Sequence, residues 1–218
     1  MKVIVVLAFC LSLLGACSSP KNKISTSDSV DLKSVDGSDE LILNTQKSLI
    51  FWKGSKPIGE HDGTVKIQKG SLKIKENEIV GGNFTIDLNA IVCLDQKDQE
   101  MNNKLVSHLK SPDFFDVGKF PVGEFEITNV VKNNTSSDYP YTVSGNLKLK
   151  EKSKNISFKA KINISDGSLS AESESFSIDR TEWGVNYGSK KIFENLKDKF
   201  IHDNMTLLIK IVCNKKAT

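Results

Sequence analysis

The chain is poor in the residues from which metal centres and nucleophilic enzymes are usually built. Its histidines are three, His61, His108 and His202, and no two lie at i, i+4. No Cys/His cluster has zinc spacing, so the sequence by itself predicts no metal. His61-Asp62 and His202-Asp203 could contribute to a composite site only through the fold. There is no G-x-S-x-G elbow, no P-loop and no dinucleotide fingerprint, so nothing nominates a nucleophile or a cofactor. A formal charge of +3 over 218 residues, with lysines dispersed along the chain, excludes a nucleic-acid surface. The Lys190-Lys191 and Lys215-Lys216 pairs read as solvated faces.

A long hydrophobic run is also lacking. The longest, Val3 to Leu14, is broken by Ser12 and is too short to span a bilayer, though its length suits the core of a signal peptide. It ends in Leu14-Gly15-Ala16-Cys17, which resembles a bacterial lipobox. That resemblance implies removal of residues 1–16 and acylation of Cys17; two or three acyl chains on one residue would make a stable anchor. Residues 17–40 are mostly Ser, Lys, Asn and Asp with scattered Ile24, Val30, Leu32 and Val35, and they read as a flexible tether. Ser18 and Ser19 follow the cysteine with no aspartate, which favours outer-membrane attachment facing the periplasm. Residues 41–218 are the size of one domain.

Four cysteines reduce to two once Cys10 leaves with the signal and Cys17 is acylated. Cys213 shares a phase with Met205, Leu207, Ile209 and Ile211, whereas Cys93 shares one with Thr85, Asp87 and Asn89. Without a bulge the two face opposite sides of a sheet, and a disulfide is not expected.

What the chain has in abundance is period two. Ile156, Phe158, Ala160, Ile162 and Ile164 alternate with polar residues, as do Tyr141, Val143, Gly145, Leu147 and Leu149, and Phe84, Ile86 and Leu88. One apolar and one wet face is the pattern of antiparallel strands over a single core. Ser48 to Trp52 is more continuously apolar and reads as covered on both faces. Turn signals fall at Lys69-Gly70, Gly81-Gly82, Asn133-Asn134 and Asp166-Gly167. The segment WKGSKPIGEHDG, with Gly54, Pro57, Gly59 and Gly63, is either a plain turn, which composition favours, or a mouth loop. About eight or nine strands result, which suits a small barrel or a sandwich. One segment has helical period: in Asp98 to Lys110, Met101, Leu105, Val106 and Leu109 share a face before Ser111-Pro112. Phe114 and Phe115 then anchor the return to the sheet, and Lys190 to Lys199 is a weaker second helix. The class is therefore all-β with one or two short helices.

The densest dozen residues are Ile178 to Ser189, IDRTEWGVNYGS. A loop has little use for Trp183 and Tyr187, and a core strand cannot bury Asp179 and Arg180 unpaired. They read as a structural corner, with Asp179 and Arg180 paired to each other or to backbone and Trp183 capping a core. Together with WKGSKPIGEHDG, GGNFTIDL, HLKSPDFFD and GNLKLK, in that order along the chain, this block resembles the YceI family, in its bacterial lipoprotein branch. The resemblance covers about Leu41 to Cys213. It implies an antiparallel lipocalin-like β-barrel of about eight strands whose lumen holds an isoprenoid or other long-chain lipid, and no established enzymatic activity.

On that expectation the inward face carries the ligand: Phe84, Ile86, Phe125, Ile127, Tyr141, Val143, Phe158, Ile162, Phe176 and Ile178. His61, His108 and Arg180 are the candidates to meet a polar headgroup at the mouth. Composition alone does not separate a hollow barrel from a filled one; the family resemblance favours the hollow form. The expected partners are an isoprenoid, quinone-like or fatty amphiphile, and the membrane through the N-terminal lipid; homodimerisation stays open. The competing readings are a solid envelope-stress or interaction scaffold and a lipid-modifying enzyme.

Overall fold

The structure, a computed structural model, describes residues 22–32, 36–134, 137–165 and 167–215. The proposed signal peptide and Cys17 lie outside these residues. Eleven antiparallel strands and one α-helix are present among them. The ring is built from β4 (Glu60–Lys75), β5 (Glu78–Cys93), β6 (Val122–Lys132), β7 (Tyr141–Leu149), β8 (Lys152–Ser165), β9 (Ser168–Ser173) and β11 (Asn204–Lys215), each paired with the next. It closes from β11 back to β4 through β2 (Asp39–Leu43) and β3 (Leu49–Ser55), which share one position in the wall. β10 (Phe176–Asp179) continues the path of β9 along β11. The result is the all-β, lipocalin-like architecture expected, with eight wall positions but a ring less regular than a clean barrel.

The apolar phase of each strand faces inward because only that face can leave water. Val143, Leu147, Leu149, Ile156, Phe158, Ala160 and Ile162 are all buried. β3 departs from expectation, since it is not covered on both faces. Ile50 is buried and Trp52 packs on the core, while Phe51 points outward and is exposed.

Two turn assignments fail. β4 runs unbroken through Lys69-Gly70 and β5 through Gly81-Gly82; the hairpin between them turns at Glu76-Asn77, both at positive φ. That backbone twist is the one two-residue hairpins favour. Gly70 instead makes room for an aromatic ring, since a Cβ there would lie 2.4 Å from Phe84. The other two signals hold: β6 and β7 are joined across Asn133-Asn134, and β8 pairs with β9 from Ser165 and Ser168, with Gly167 at φ +75°.

The segment read as a flexible tether is partly docked. β1 (Thr26–Asp28) pairs with β8 along Lys154 to Ile156, and Lys23 bridges to Ser177 of β10. It thereby fills the gap left where β10 diverges from β8. Asn146, in a phase expected to be wet, is buried beneath it. Its side chain accepts from the Val30 amide at 3.0 Å and donates to the Val30 carbonyl at 2.7 Å. A strand lost its sequence signal here because its partners are edge carbonyls and amides, which carry no hydropathy pattern.

The helix α1 (Gln99–Lys110) starts at Asp98, whose carboxylate accepts from the Met101 amide, and ends at Ser111 before Pro112. Phe114 and Phe115 are buried, anchoring the return as expected. Lys190 to Lys199 is not a second helix; only a 3-10 turn, Lys197–Lys199, forms there. Among the described residues no helix is long and apolar enough to cross a membrane.

Candidate functional site

A cavity of about 290 Å3 opens at one end of the ring, and a smaller one of about 80 Å3 lies deeper. Ile50, Ile86, Leu147 and Leu207 border both and form the waist between them. The barrel is hollow in its upper half, which sequence composition could not establish. Three rings, Phe125, Phe158 and Phe176, crowd the lower cavity; Phe158 stacks on Phe176 at 4.7 Å and meets Phe125 at 5.9 Å.

The ten expected lumen residues therefore divide. Ile86 and Ile178 wall the upper cavity, and Phe84, Phe125, Phe158 and Phe176 the lower one beside Ile86. Ile127, Val143 and Ile162 are buried and Tyr141 half-buried, but none of the four borders either space. They pack the core below it, so the same alternation yields a wall at one height and a plug at another. Much of the lining comes from residues outside the expected set: Trp52, Ile91, Leu105, Leu109, Met205 and Leu207. Their signals were present, as the inward phase of β11 and the apolar face of α1, but an apolar face does not say whether it meets atoms or space.

The mouth is framed by α1, the β3–β4 hairpin and the chain following Trp183. Gly54, Lys56 and Gly59 line the opening, so WKGSKPIGEHDG serves as both hairpin and rim. All three expected mouth residues border the cavity, in unequal states. His108 Nε2 lies 3.1 Å from the Asp113 carboxylate, and its ring meets Phe114 and Tyr187 edge-on. His61 Nδ1 lies 3.0 Å from Asp95. Arg180 is 5% exposed, and every nitrogen of its guanidinium donates to a backbone carbonyl: Nε to His202, Nη1 to Val185 at 2.5 Å and Nη2 to Ile201. Burial pulls its pKa down, against the opposing pull of Asp203 and Asp179. Arg180 thus holds the rim together and has little left to offer a headgroup.

Around it stands the corner inferred from the sequence. Trp183 is fully buried, its indole N–H donating to the Leu147 carbonyl at 2.8 Å. The 3-10 turn Arg180–Trp183 ends at Gly184, φ +74°, a backbone state that suits glycine. Asp179 and Arg180 do not pair with each other. Asp179 accepts from Thr181 and from Lys191, so Lys191 is not merely a solvated charge. Burial raises the Asp179 pKa, but the Lys191 and Thr181 hydrogen bonds outweigh it and hold the carboxyl below its usual range.

Cys93 and Cys213 are both buried and free. Cys213 faces inward as expected, and burial pushes its thiol up to about 12. The polar phase assigned to Cys93 is wrong. β4–β5 pairing jumps from Lys66–Asp87 to Thr64–Val92, and buried Leu88 and Ile91 stand three apart. A bulge of this kind inverts the alternation and turns Cys93 to the buried face.

A closed β ring with an apolar cup, one mouth and a helix at its rim defines a lipocalin-like protein. The profile of the YceI-like domain matches residues 42–213, and the chain belongs to that family. It is similar in fold to BcnA of Burkholderia cenocepacia, at 17% identity and TM-score 0.59, over 81% of this chain and 99% of that one. It is similar also to a polyisoprenoid binding domain from Saccharophagus degradans implicated in plant cell wall breakdown, at 12% identity and TM-score 0.56, over 81% and 98%. Among curated protein sequences none matches.

Proposed function

We propose that this protein binds one long-chain lipid, an isoprenoid, quinone-like or fatty amphiphile, with its apolar chain in the upper cavity. The observation that supports this most is the cavity itself: about 290 Å3, walled by aliphatic and aromatic side chains, open at one end. Transferring an apolar chain out of water contributes about 25 cal/mol per Å2, so few polar contacts are needed. The waist at Ile86 and Leu207 admits the chain end toward the smaller cavity, and His61 and His108 stand where a headgroup would emerge. The Saccharophagus domain named for polyisoprenoid binding supports the same class of ligand. No nucleophile is called for, and the reading is of a carrier rather than an enzyme.

The tether belongs to the same proposal. Acylation at Cys17 would hold the barrel at the outer membrane, facing the periplasm, within reach of its lipid. Cys17→Ala should release the protein from the membrane fraction and abolish palmitate labelling; persistent labelling overturns the anchor.

The ligand is tested by native mass spectrometry and organic extraction of protein isolated from its own envelope. The expected result is about one lipid per folded chain. Ile162 does not border the cavity, so the informative substitution is Leu207→Gln, whose amide would displace the ligand or stay unpaired. It should lower lipid content per folded chain. Wild-type protein that carries no lipid, and takes up none from isoprenoids or quinones, leaves the scaffold reading in its place.

A further inference from the structure

We propose that His61, Cys93 and Asp95 form a binding site for one thiophilic divalent cation, of the Zn2+ class, at the mouth of the barrel. They come from two stretches of chain: His61 near the start of β4, and Cys93 at the end of β5 with Asp95 two residues on, before α1. One ligand atom from each lies within 4.8 Å of the others. Asp95 Oδ2 is 3.0 Å from His61 Nδ1, and Asp95 Oδ1 is 3.1 Å from Cys93 Sγ. A tetrahedral zinc ion with bonds of about 2.0–2.3 Å needs ligand atoms some 3.3–3.8 Å apart. The present separations, from 3.0 Å to at most 4.8 Å, bracket that range, so side-chain shifts of about an ångström complete the set.

The backbone already holds these side chains in place. The Asp62 amide donates to Asp95 Oδ1, the Leu94 amide to the Asp62 carbonyl, and the Asn102 side chain to the carbonyls of Cys93 and Gln96. Cys93 is buried, whereas His61 and Asp95 are each about a third exposed, at 31% and 32%. An ion entering from solvent would thus meet nitrogen and oxygen first and sulfur beneath. One sulfur, one nitrogen and one carboxylate oxygen form a borderline-soft set that suits Zn2+ and disfavours Ca2+ and Mg2+. Three protein ligands leave the fourth position to water.

Binding must displace the Cys93 thiol proton, which goes to solvent or buffer, and leave the His61 ring proton on Nε2. Burial and the facing Asp95 carboxylate keep the thiol protonated without the ion. Affinity should therefore weaken as the pH is lowered. His61 lies 34 residues before Asp95, and Cys93 reads in the wrong phase, so no spacing rule joins the three. The proposal does not depend on the lipid reading.

The test titrates Co2+, then Zn2+, into the full chain in detergent. The expected result is one ion per chain, a thiolate-to-cobalt charge-transfer absorption, displacement of Co2+ by Zn2+ and proton release on binding. Cys93→Ser, His61→Ala and Asp95→Asn should each weaken Zn2+ binding by at least about tenfold, and Cys93→Ser should remove the charge-transfer band. Cys213→Ala, which removes the other buried thiol, should retain both. Melting curves establish that each variant is folded; should one fail to fold, the other two carry the comparison. Absence of the charge-transfer band in wild type, or Co2+ binding unchanged in folded Cys93→Ser, overturns the site.

Discussion

Two structures border the same cavity and are stabilised in opposite ways. The corner from Asp179 to Ser189 is closed: Trp183 and Val185 are buried, and each guanidinium nitrogen of Arg180 meets a carbonyl. The helix α1, whose His108 meets Tyr187 of the corner, fully buries no residue, and its Leu105 and Leu109 border the cavity. The corner is fixed by the hydrogen bonds of Asp179, Arg180 and Trp183 and by dense packing, while the helix contributes apolar surface that borders space. The proposed lipid binding would use both, a wall that keeps its shape and a rim whose apolar face remains available to ligand.

The largest test of this contrast is Trp183→Ala. It should cost about 3–5 kcal/mol of stability, since it removes a fully buried ring and its hydrogen bond to the Leu147 carbonyl. Chemical denaturation measures it, and a loss below about 1 kcal/mol would break the view of the corner as the rigid wall.

The docked N-terminal segment leans on the corner's own strand, which sharpens the comparison. Ile24 donates its amide to the Ser177 carbonyl of β10 and packs on the core. Ile24→Pro should cost about 1–3 kcal/mol and raise amide exchange at Ser177, whose own N–H bonds the Asn22 carbonyl. Unchanged exchange would show that the segment is not part of the wall.

On the other side, Leu105→Ala should cost under about 1 kcal/mol, because its side chain already faces space and loses fewer contacts than a packed leucine. Lipid per folded chain should fall more visibly than the melting temperature. A cost matching that of Trp183→Ala would erase the distinction between wall and rim.

The smallest effect is electrostatic. Burial would raise the Asp95 pKa, but hydrogen bonds from Cys93, the Asp62 amide and His61 outweigh it and bring the carboxyl down to about 2. A folded pKa below the unfolded value of about 3.9 means the stabilisation is present above pH 4 and is lost as pH falls toward 2. Asp95→Asn should flatten that part of the stability–pH curve. Asp179, whose carboxyl is also held below its usual range, should keep the corner's own share of the slope.

Most strand phases, the amphipathic helix, its end before Pro112 and the structural character of the corner were legible in the sequence. Each rests on short-range rules: period two, period 3.6, proline sterics, and the cost of an unpaired buried charge. The misreadings share a different cause. Gly70 and Gly81-Gly82 signal turns by composition but sit inside long strands, in one case beneath a ring supplied by another strand. Residues 22–32 looked unstructured because their own side chains bury little, whereas the order comes from the exposed edges of β8 and β10.

The sequence by itself determined that this is an antiparallel β protein with one apolar face per strand, because which face leaves water is decided residue by residue. Only the tertiary structure decided where that face meets space. Ile86 lines a cavity and Ile162, of the same residue type on the same kind of strand, packs into the core. The height of each residue in the ring, and what stands across from it, set that difference. The meeting of His61, Cys93 and Asp95 was decided the same way: a bulge after Leu88 turned one side chain over, and a register rule carried along the strand could not foresee it.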